Sequence, residues 1–271
     1  MEYIVFVDCD GSLLNNQSEV TTRAKDAIQK LIANNCHVVL ASGRPRYSAN
    51  WIKEKSNASH YLISSNGAEV YDTENDKVLH TNVFSKNTCY DICKHAVESG
   101  SRIVMVSENC EYVTKVSHSE YQIIVDDYQD IALKKEVKQI FITGPDFNKM
   151  NDLRNYILSL EDVKIVNESI CFKVNNPLDK KEFWFSVASK TTSKGEAIKF
   201  LANYLNVPLE NVFAYGNDYN DVSMFEVAGT SICPENSDEE IKKMVDEITS
   251  SNDDEGAAKA FEKIMEKISI C

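Results

Sequence analysis

Short apolar runs that end at polar residues recur along this chain and constrain its fold more than any other feature. Tyr3–Val7 is apolar throughout and ends at Asp8. Residues 37–41, 61–63 and 211–215 repeat the pattern, and apolar residues at helical spacing separate the first three runs. Such short runs are typical of strands buried on both faces of a parallel sheet. The sequence therefore predicts an α/β fold with a doubly wound, mainly parallel sheet.

The middle of the chain has a different pattern, because several predicted strands follow one another without helices between them. Strands are predicted near residues 102–106, 137–143, 163–166, 171–174 and 182–187, and helices near 86–98 and 149–160. Consecutive strands are typical of an antiparallel α+β module. We therefore predict an inserted α+β domain at residues 83–188, which divides the core domain into residues 1–82 and 189–271.

The charge balance limits the classes of partner that this chain can have. The 271 residues include 42 acidic and 29 basic side chains, which gives a net charge of −13. Such a surface repels nucleic acid and anionic membranes. No run approaches the ~18 apolar residues of a membrane helix, and the N-terminus lacks the features of a signal peptide. We expect a soluble, cytoplasmic protein that is a monomer or a weak homo-oligomer.

Cysteine and histidine spacing argues against disulfide and zinc frameworks. The eight cysteines are scattered and form no C-x-x-C pair, and the five histidines show no zinc-binding spacing. A chain of this length also has no need of disulfides to hold its core. We therefore expect reduced thiols.

Chemically active side chains follow the predicted strands directly. Asp8–Gly11 follows the first run, Ser42 and Gly43 follow the second, and residues 216–221 follow the run at 211–215. Lys194 lies in the first turn of a helix that Ser193 is expected to cap. In open α/β sheets the ligand crevice lies at the carboxyl ends of the strands. The fold can thus assemble side chains about two hundred residues apart.

Carboxylates, a hydroxyl, an ammonium and glycine turns are the parts that phosphoryl transfer requires. A carboxylate nucleophile divides hydrolysis into two easier steps, and a second carboxyl group moves the protons. Mg²⁺ prefers oxygen ligands, and an ammonium stabilises the phosphoryl charge. Asp8 and Asp10 are two residues apart, so both can face one cavity at a strand end.

Several of these segments together resemble the haloacid dehalogenase superfamily, and most closely its Cof-type phosphatases with a type-two α/β cap. The resemblance rests on segments 8–14, 42–45, 65–68, 194–195 and 216–221 and spans the chain. One D-x-D-G segment alone is weak support, whereas several in this order are strong.

The resemblance implies a role for each matching residue. Asp8 would be the nucleophile and Asp10 the general acid/base. Ser42, the Gly43 N–H and Asn220 would hold the phosphoryl group, and Lys194 would neutralise its charge and that of Asp8.

The implied cofactor is Mg²⁺. Its ligands would be the Asp8 carboxylate, the Asp10 carbonyl and Asn217, and Asp221 would anchor metal-bound water. The family motif carries aspartate where this chain has Asn217, so weaker magnesium binding is expected. The sequence leaves open whether Asp218 takes that place through a shifted turn.

The implied function is Mg²⁺-dependent hydrolysis of a small phosphorylated metabolite, such as a sugar phosphate or a cofactor phosphate. Two alternatives remain open: a sugar phosphomutase that uses the same aspartyl-phosphate, and a ligand-binding or regulatory protein with a weakened metal site. Arg44 is expected to fix its loop through an ion pair. Asn66 is interpreted equally well as a turn residue or as a border of the substrate entrance. Tyr112, Tyr121 and Lys173 are candidates for leaving-group contacts.

Overall fold

A computed structural model describes residues 2–114, 120–173 and 181–270 of the chain. These residues form two compact units, one from residues 1–80 with 193–271 and one from residues 81–192. Whether the shorter predicted segment, 83–188, folds separately stays a prediction. The described part of the chain contains no helix that is long and apolar enough to span a membrane. Its seven described cysteines are free thiols.

Strands and α-helices alternate along most of the chain. The strands are β1 (Tyr3–Val7), β2 (Cys36–Ala41), β3 (Tyr61–Ser64), β4 (Glu69–Asp72), β5 (Lys77–Thr81), β6 (Arg102–Ser107), β7 (Cys110–Val113), β8 (Gln122–Ile124), β9 (Val137–Gly144), β10 (Val163–Glu168), β11 (Phe183–Ser189), β12 (Val212–Tyr215), β13 (Thr230–Pro234) and β14 (Glu247–Thr249). The helices are α1 (Thr22–Ala33), α2 (Arg46–Ser56), α3 (Lys86–Glu98), α4 (Tyr128–Lys134), α5 (Phe147–Leu158), α6 (Ile170–Lys173), α7 (Lys194–Tyr204), α8 (Val222–Phe225), α9 (Glu239–Lys242) and α10 (Gly256–Ile270).

The first unit is built on one eight-stranded sheet. Its strand order is β14-β13-β12-β1-β2-β3-β4-β5. The pairs from β14 to β3 are parallel, and β4 is antiparallel to β3. Helices α1 and α10 pack with one face of the sheet, and α7, α8 and α9 contribute to the apolar cluster on the other. The predicted doubly wound α/β fold is confirmed.

Two helix starts in this unit follow from their capping residues. The Thr21 side chain accepts a hydrogen bond from the Ala24 N–H and begins α1. The Ser193 side chain accepts one from the Glu196 N–H and begins α7, with Lys194 as its first residue. Each cap satisfies an N–H that the helix itself cannot pair.

The second unit is built on a six-stranded sheet of order β10-β11-β9-β6-β7-β8. All of its strand pairs are antiparallel except β7 with β8. Helices α3 and α5 supply apolar side chains, among them Ile92 and Ile157, to the cluster that contains Ile140 and Phe185 of the sheet. The predicted α+β character of the inserted segment is thereby confirmed.

One predicted strand of this unit is wrong. Residues 171–173 lie in the short helix α6, where the sequence favoured a strand at 171–174. Cys171 and Phe172 are buried in the apolar cluster of the unit. Short buried apolar runs do not distinguish a strand from a helical turn, which explains the error. Val174 lies outside the described residues.

Candidate active site

Strand register brings the predicted functional segments to one edge of the first sheet. Val7 of β1 pairs with Leu40 of β2 on one side and with Tyr215 of β12 on the other. The residues that follow these strands, among them Asp8 and Ser42, therefore leave the sheet side by side. The connection between strand ends is direct, since the Asp8 N–H donates to the Tyr215 carbonyl at 2.8 Å.

A buried lysine lies between two carboxylates at this edge. Lys194 Nζ is 2.6 Å from Asp8 Oδ1 and 2.6 Å from Asp221 Oδ1. All three side chains are buried, and Asp221 is fully inaccessible. Lys194 has two buried carboxylate partners and keeps one of them if the other is neutralised. The three residues form one hydrogen-bonded unit.

This group carries one more negative charge than positive when all three side chains are ionised. Burial, together with Asp221, raises the pKa of the Asp8 carboxyl to about 7, against the opposing effect of Lys194. Burial disfavours charge on Lys194, but Asp221 and Asp8 outweigh it and raise the pKa of the ammonium. Lys194 therefore stays charged, and the site favours an additional proton or cation beside Asp8.

The second oxygen of Asp221 holds the loop after β12. Asp221 Oδ2 accepts the N–H of Asn217 at 2.8 Å and that of Asp218 at 3.0 Å. A Cβ on Gly216 would lie 2.6 Å from the same oxygen, so only glycine fits there. Asp221 thus fixes both Lys194 and the position of Asn217.

The Asn217 amide adjoins the other predicted magnesium ligands. One of its terminal atoms lies 2.8 Å from the Asp10 carbonyl oxygen and 3.2 Å from Asp8 Oδ2. With nitrogen at this position, the amide donates to both oxygens and to Ser12 Oγ. With oxygen at this position, Ser12 donates to it at 2.8 Å. Its distances to the Asp10 and Asp8 oxygens are then similar to the about 2.9 Å that separates neighbouring oxygen ligands in an octahedral Mg²⁺ site.

With the Asn217 oxygen facing Asp8 and Asp10, these oxygens fit Mg²⁺. The described residues contain no cluster of three or more His, Cys, Asp or Glu side chains that could hold a metal ion. A cation at this edge would therefore be bound by mixed ligands: the Asp8 carboxylate, the Asp10 carbonyl and the Asn217 amide. Asp218 is used differently, because its side chain accepts the Tyr219 N–H at 2.7 Å and caps the following turn.

Asp10 is more exposed than Asp8, with 57% of its side chain accessible, and it forms an ion pair with Arg44. The guanidinium donates from Nε to Oδ2 at 2.8 Å and from Nη2 to Oδ1 at 2.6 Å. Arg44 also donates from Nη1 to Ser48 Oγ at 3.1 Å, which ties the pair to α2. The predicted ion pair of Arg44 is confirmed, and its partner is the candidate acid/base.

The predicted phosphoryl-binding residues lie around the loop after β2. Ser42 is fully buried, and its Oγ accepts the Arg44 N–H at 3.2 Å. No backbone carbonyl of the described residues accepts a hydrogen bond from the Gly43 N–H. Asn220 Nδ2 donates to Asn66 Oδ1 at 2.9 Å. Asn66 thus joins this group, whereas the sequence left open whether it is a turn residue or a border of the substrate entrance.

The leaving-group candidates of the second unit differ in their surroundings. Tyr112 is buried in the apolar cluster of that unit, so its ring contributes to packing. Tyr121 is 38% exposed. The Lys173 side chain lies outside the described residues. A role for any of them in substrate binding stays a prediction.

The sheet order and the strand-end carboxylates define a class of protein: a doubly wound α/β protein with a polar site at the carboxyl ends of its parallel strands, whose sequence is interrupted by that of a second unit. The family model for haloacid dehalogenase-like hydrolases matches residues 5–261. The chain therefore belongs to the haloacid dehalogenase-like hydrolases.

Two relatives illustrate the similarity in sequence. The chain is 29% identical over 277 residues to a putative phosphatase of Buchnera aphidicola (subsp. Acyrthosiphon pisum), covering 97% of each protein. It is 24% identical to the 5-amino-6-(5-phospho-D-ribitylamino)uracil phosphatase YcsE of Bacillus subtilis, with 95% of this chain and 94% of that protein covered. The predicted enzyme class, a phosphoric monoester hydrolase, is confirmed.

Solved structures confirm the fold. A haloacid dehalogenase-like hydrolase from B. subtilis superposes with a TM-score of 0.81 at 22% identity and covers 96% of this chain and 99% of its own. The subclass IIB sugar phosphatase BT4131 superposes with a TM-score of 0.78 at 17% identity, covering 96% and 98%. The predicted Cof-type architecture with a type-two cap agrees with these neighbours.

Proposed function

We propose that this phosphatase hydrolyses a small phosphorylated metabolite through an aspartyl-phosphate on Asp8, with Mg²⁺ as cofactor. The observation that carries the proposal is the position of Asp8, with one carboxylate oxygen 2.6 Å from Lys194 Nζ and the other 3.2 Å from the Asn217 amide. A carboxylate so placed has an ammonium on one side and candidate metal ligands on the other. Both stabilise charge on a phosphoryl group that the carboxylate attacks.

In the first step, an Asp8 oxygen attacks phosphorus and the bond to the leaving oxygen breaks. Asp10 gives its proton to the departing alkoxide. In the second step, Asp10 takes a proton from water, the water oxygen attacks phosphorus, and the bond to Asp8 breaks. Inorganic phosphate leaves and both carboxyl groups return to their starting states.

Mg²⁺ held by the Asp8 carboxylate, the Asp10 carbonyl and Asn217 would supply positive charge to the phosphoryl oxygens. Lys194 supplies the fixed charge from the opposite side, and its own charge is secured by Asp221. Ser42, Gly43 and Asn220 would orient the phosphoryl group. The amide of Asn217 brings no charge to the metal, which supports weaker binding than a carboxylate in its place would give.

The Arg44–Asp10 pair adds a positioning contact to the first step. A carboxyl group that is held by two hydrogen bonds from a guanidinium has a fixed orientation. We propose that Arg44 positions Asp10 for proton transfer to the leaving group.

The substrate class rests on chemistry and on relatives. The substrate for which the YcsE phosphatase is named contains a phosphorylated ribityl group. BT4131 is described as a sugar phosphatase. A phosphorylated sugar, polyol or cofactor is accordingly the proposed substrate, and a screen of such metabolites scored by kcat/KM identifies it.

Hydrolysis of p-nitrophenyl phosphate tests the proposal without knowledge of the natural substrate. The native protein should release phosphate only with Mg²⁺, and Asp8→Asn should abolish the release. With a sugar phosphate as substrate, an isomerised product without free phosphate would instead support a phosphomutase. Binding of phosphorylated ligands without any turnover would support a regulatory protein and contradict the proposal.

A further inference from the structure

Only one of the two polar atoms of the Asn66 side-chain amide has a hydrogen-bond partner among the described residues. Its Oδ1 accepts a hydrogen bond from Asn220 Nδ2 at 2.9 Å. Its Nδ2 is buried and has no hydrogen-bond partner within the part of the chain that the structure describes. The whole residue is only 2% exposed. A buried donor without an acceptor is costly and calls for an explanation.

The backbone around Asn66 is held in an unfavourable conformation. Ser65, Asn66 and Gly67 have consecutive positive φ angles of 51°, 59° and 95°. Non-glycine residues adopt this region at a cost, and such strain persists where neighbouring structure imposes it. Here the Ser65 N–H donates to the Arg44 carbonyl at 2.8 Å and the Asn66 N–H to the Ser42 carbonyl at 3.0 Å. The loop after β2 therefore fixes where the Asn66 amide lies.

The amide lies directly against Gly43. A Cβ added to Gly43 would be 3.0 Å from Asn66 Oδ1 and 3.2 Å from Asn66 Nδ2. Glycine at position 43 thus leaves the space that the amide occupies. Asn66 lies between two residues of the proposed phosphoryl site, Gly43 and Asn220.

We propose that Asn66 Nδ2 donates a hydrogen bond to the phosphoryl group of the bound substrate. The inference rests on the proposed function, because it assigns a further ligand to the same phosphoryl group. Asn220 fixes the orientation of the Asn66 amide by donating to its oxygen, which leaves the nitrogen as the free group. A phosphoryl oxygen is an anionic acceptor and forms stronger hydrogen bonds with such a donor than a neutral acceptor does.

Inorganic phosphate is the probe for this contact, because it contains the phosphoryl oxygens and no leaving group. Its affinity for the native protein with Mg²⁺ is measured by calorimetry and as competitive inhibition of p-nitrophenyl phosphate hydrolysis. Asn66→Gly removes the donor and tolerates a positive φ, and Asn66→Asp keeps the shape but replaces the donor with a carboxylate. The matched controls are Asn57→Gly and Asn57→Asp, because Asn57 is exposed and has a φ of 57°.

Asn66→Gly should weaken phosphate binding roughly tenfold to hundredfold, the usual range for one hydrogen bond to a charged group. Asn66→Asp should weaken it further through repulsion between anions. The Mg²⁺ dissociation constant of the Asn66 variants should stay within about twofold of the native value, and both Asn57 variants should bind phosphate as the native protein does.

Phosphate binding by Asn66→Gly that matches the native protein would overturn the inference. Equal weakening of Mg²⁺ and phosphate would also overturn it, because Asn66 would then act only through Asn220 and the loop after β12. If Asn66→Gly fails to fold, Asn66→Asp decides by the same criteria. The proposed function fails by a different result, namely hydrolysis that survives Asp8→Asn, so the two failures are distinguishable.

Discussion

The Arg44 guanidinium binds both carboxylate oxygens of Asp10, at nitrogen–oxygen distances of 2.8 and 2.6 Å. This pair links the loop after β1 to the loop after β2. It also places a cation on the residue proposed to move protons. The proposed proton transfer and the position of the loop are therefore coupled through one contact.

Arg44→Gln should slow hydrolysis of an alkyl phosphate much more than hydrolysis of p-nitrophenyl phosphate. An alkoxide requires a well-placed proton donor, whose contribution is typically about 10²–10⁴-fold, whereas p-nitrophenolate leaves unaided. We expect kcat to fall at least about tenfold for the alkyl ester. Arg23→Gln is the matched control, because Arg23 forms a similar two-point pair with Glu262. Equal losses on both substrates would contradict the proposed use of Arg44.

Asn217→Asp should tighten Mg²⁺ binding. The substitution places a charged oxygen beside the Asp10 carbonyl and the Asp8 carboxylate, where the native amide offers only a dipole. We expect the dissociation constant, measured by calorimetric titration, to fall by about tenfold, as for an added charge–charge contact. Asn203→Asp, on the exposed face of α7, adds the same charge away from the site. If both variants bind Mg²⁺ equally, Asn217 does not contact the metal.

Asp8→Asn should stabilise the metal-free protein at neutral pH. The folded-state pKa of Asp8 is raised from 3.8 to about 7, so the unfolded chain loses this proton at a lower pH than the folded protein does. The native protein therefore loses stability as pH rises from about 4 to about 7, and the asparagine variant lacks this loss. The Tm advantage of the variant should be small near pH 4 and greatest above pH 7.

Thermal unfolding in a chelating buffer measures this difference, at about 2–4 °C for each kcal/mol. Saturating Mg²⁺ should reduce the Tm advantage of Asp8→Asn, because only the native protein has a carboxylate at position 8 to bind the cation. A Tm difference that is independent of pH would show that the Asp8 carboxyl does not retain its proton up to neutral pH.

Gly67→Ala should damage the site through a backbone collision. A Cβ at this position would lie 2.1 Å from the Ser193 carbonyl oxygen and 2.9 Å from the Lys194 nitrogen, at the start of α7. Gly100 has a similar φ, 78° against 95°, but nothing lies within 4 Å of its added Cβ. Gly100→Ala should therefore cost only the conformational term, about 1 kcal/mol, and leave activity unchanged.

The Gly67 variant should lose more stability than the Gly100 variant and also lose activity, because Lys194 is displaced from Asp8. Chemical unfolding and p-nitrophenyl phosphate hydrolysis measure the two effects. Equal losses of stability with full activity in both variants would show that α7 can move without consequence.

The sequence predicted the parts of the fold that combine apolar runs with strand-end polar residues. Buried parallel strands such as β1 and β12 are apolar on both faces and are therefore easy to recognise. Strand β14 was not predicted, because it lies at the sheet edge and Ile248 is exposed between polar neighbours. In β1 and β12 the apolar sequence pattern matches a buried strand, whereas β14 is a strand without an apolar run.

Prediction of the site divides in the same way. The sequence predicted that Asp8 and Lys194 lie at one site because the fold type fixes where strand ends and a helix start meet, and the resemblance implied their roles. It did not predict the unpaired amide of Asn66 or its contact with Gly43, because both depend on three-dimensional positions. The choice between Asn217 and Asp218 likewise required the turn geometry that Asp221 imposes on their N–H groups.

The proposed mechanism requires that Asp8 becomes phosphorylated during turnover. The most direct test is the mass of Asp10→Asn protein, quenched in acid after reaction with Mg²⁺ and p-nitrophenyl phosphate. This variant should form the aspartyl-phosphate, because p-nitrophenolate needs no proton, and should break it down slowly because no base activates water. We expect one added phosphoryl group, located on Asp8 by peptide mapping and absent from the Asp8→Asn/Asp10→Asn double variant. A phosphoryl group on another residue, or rapid hydrolysis by Asp8→Asn, would rule out Asp8 as the nucleophile.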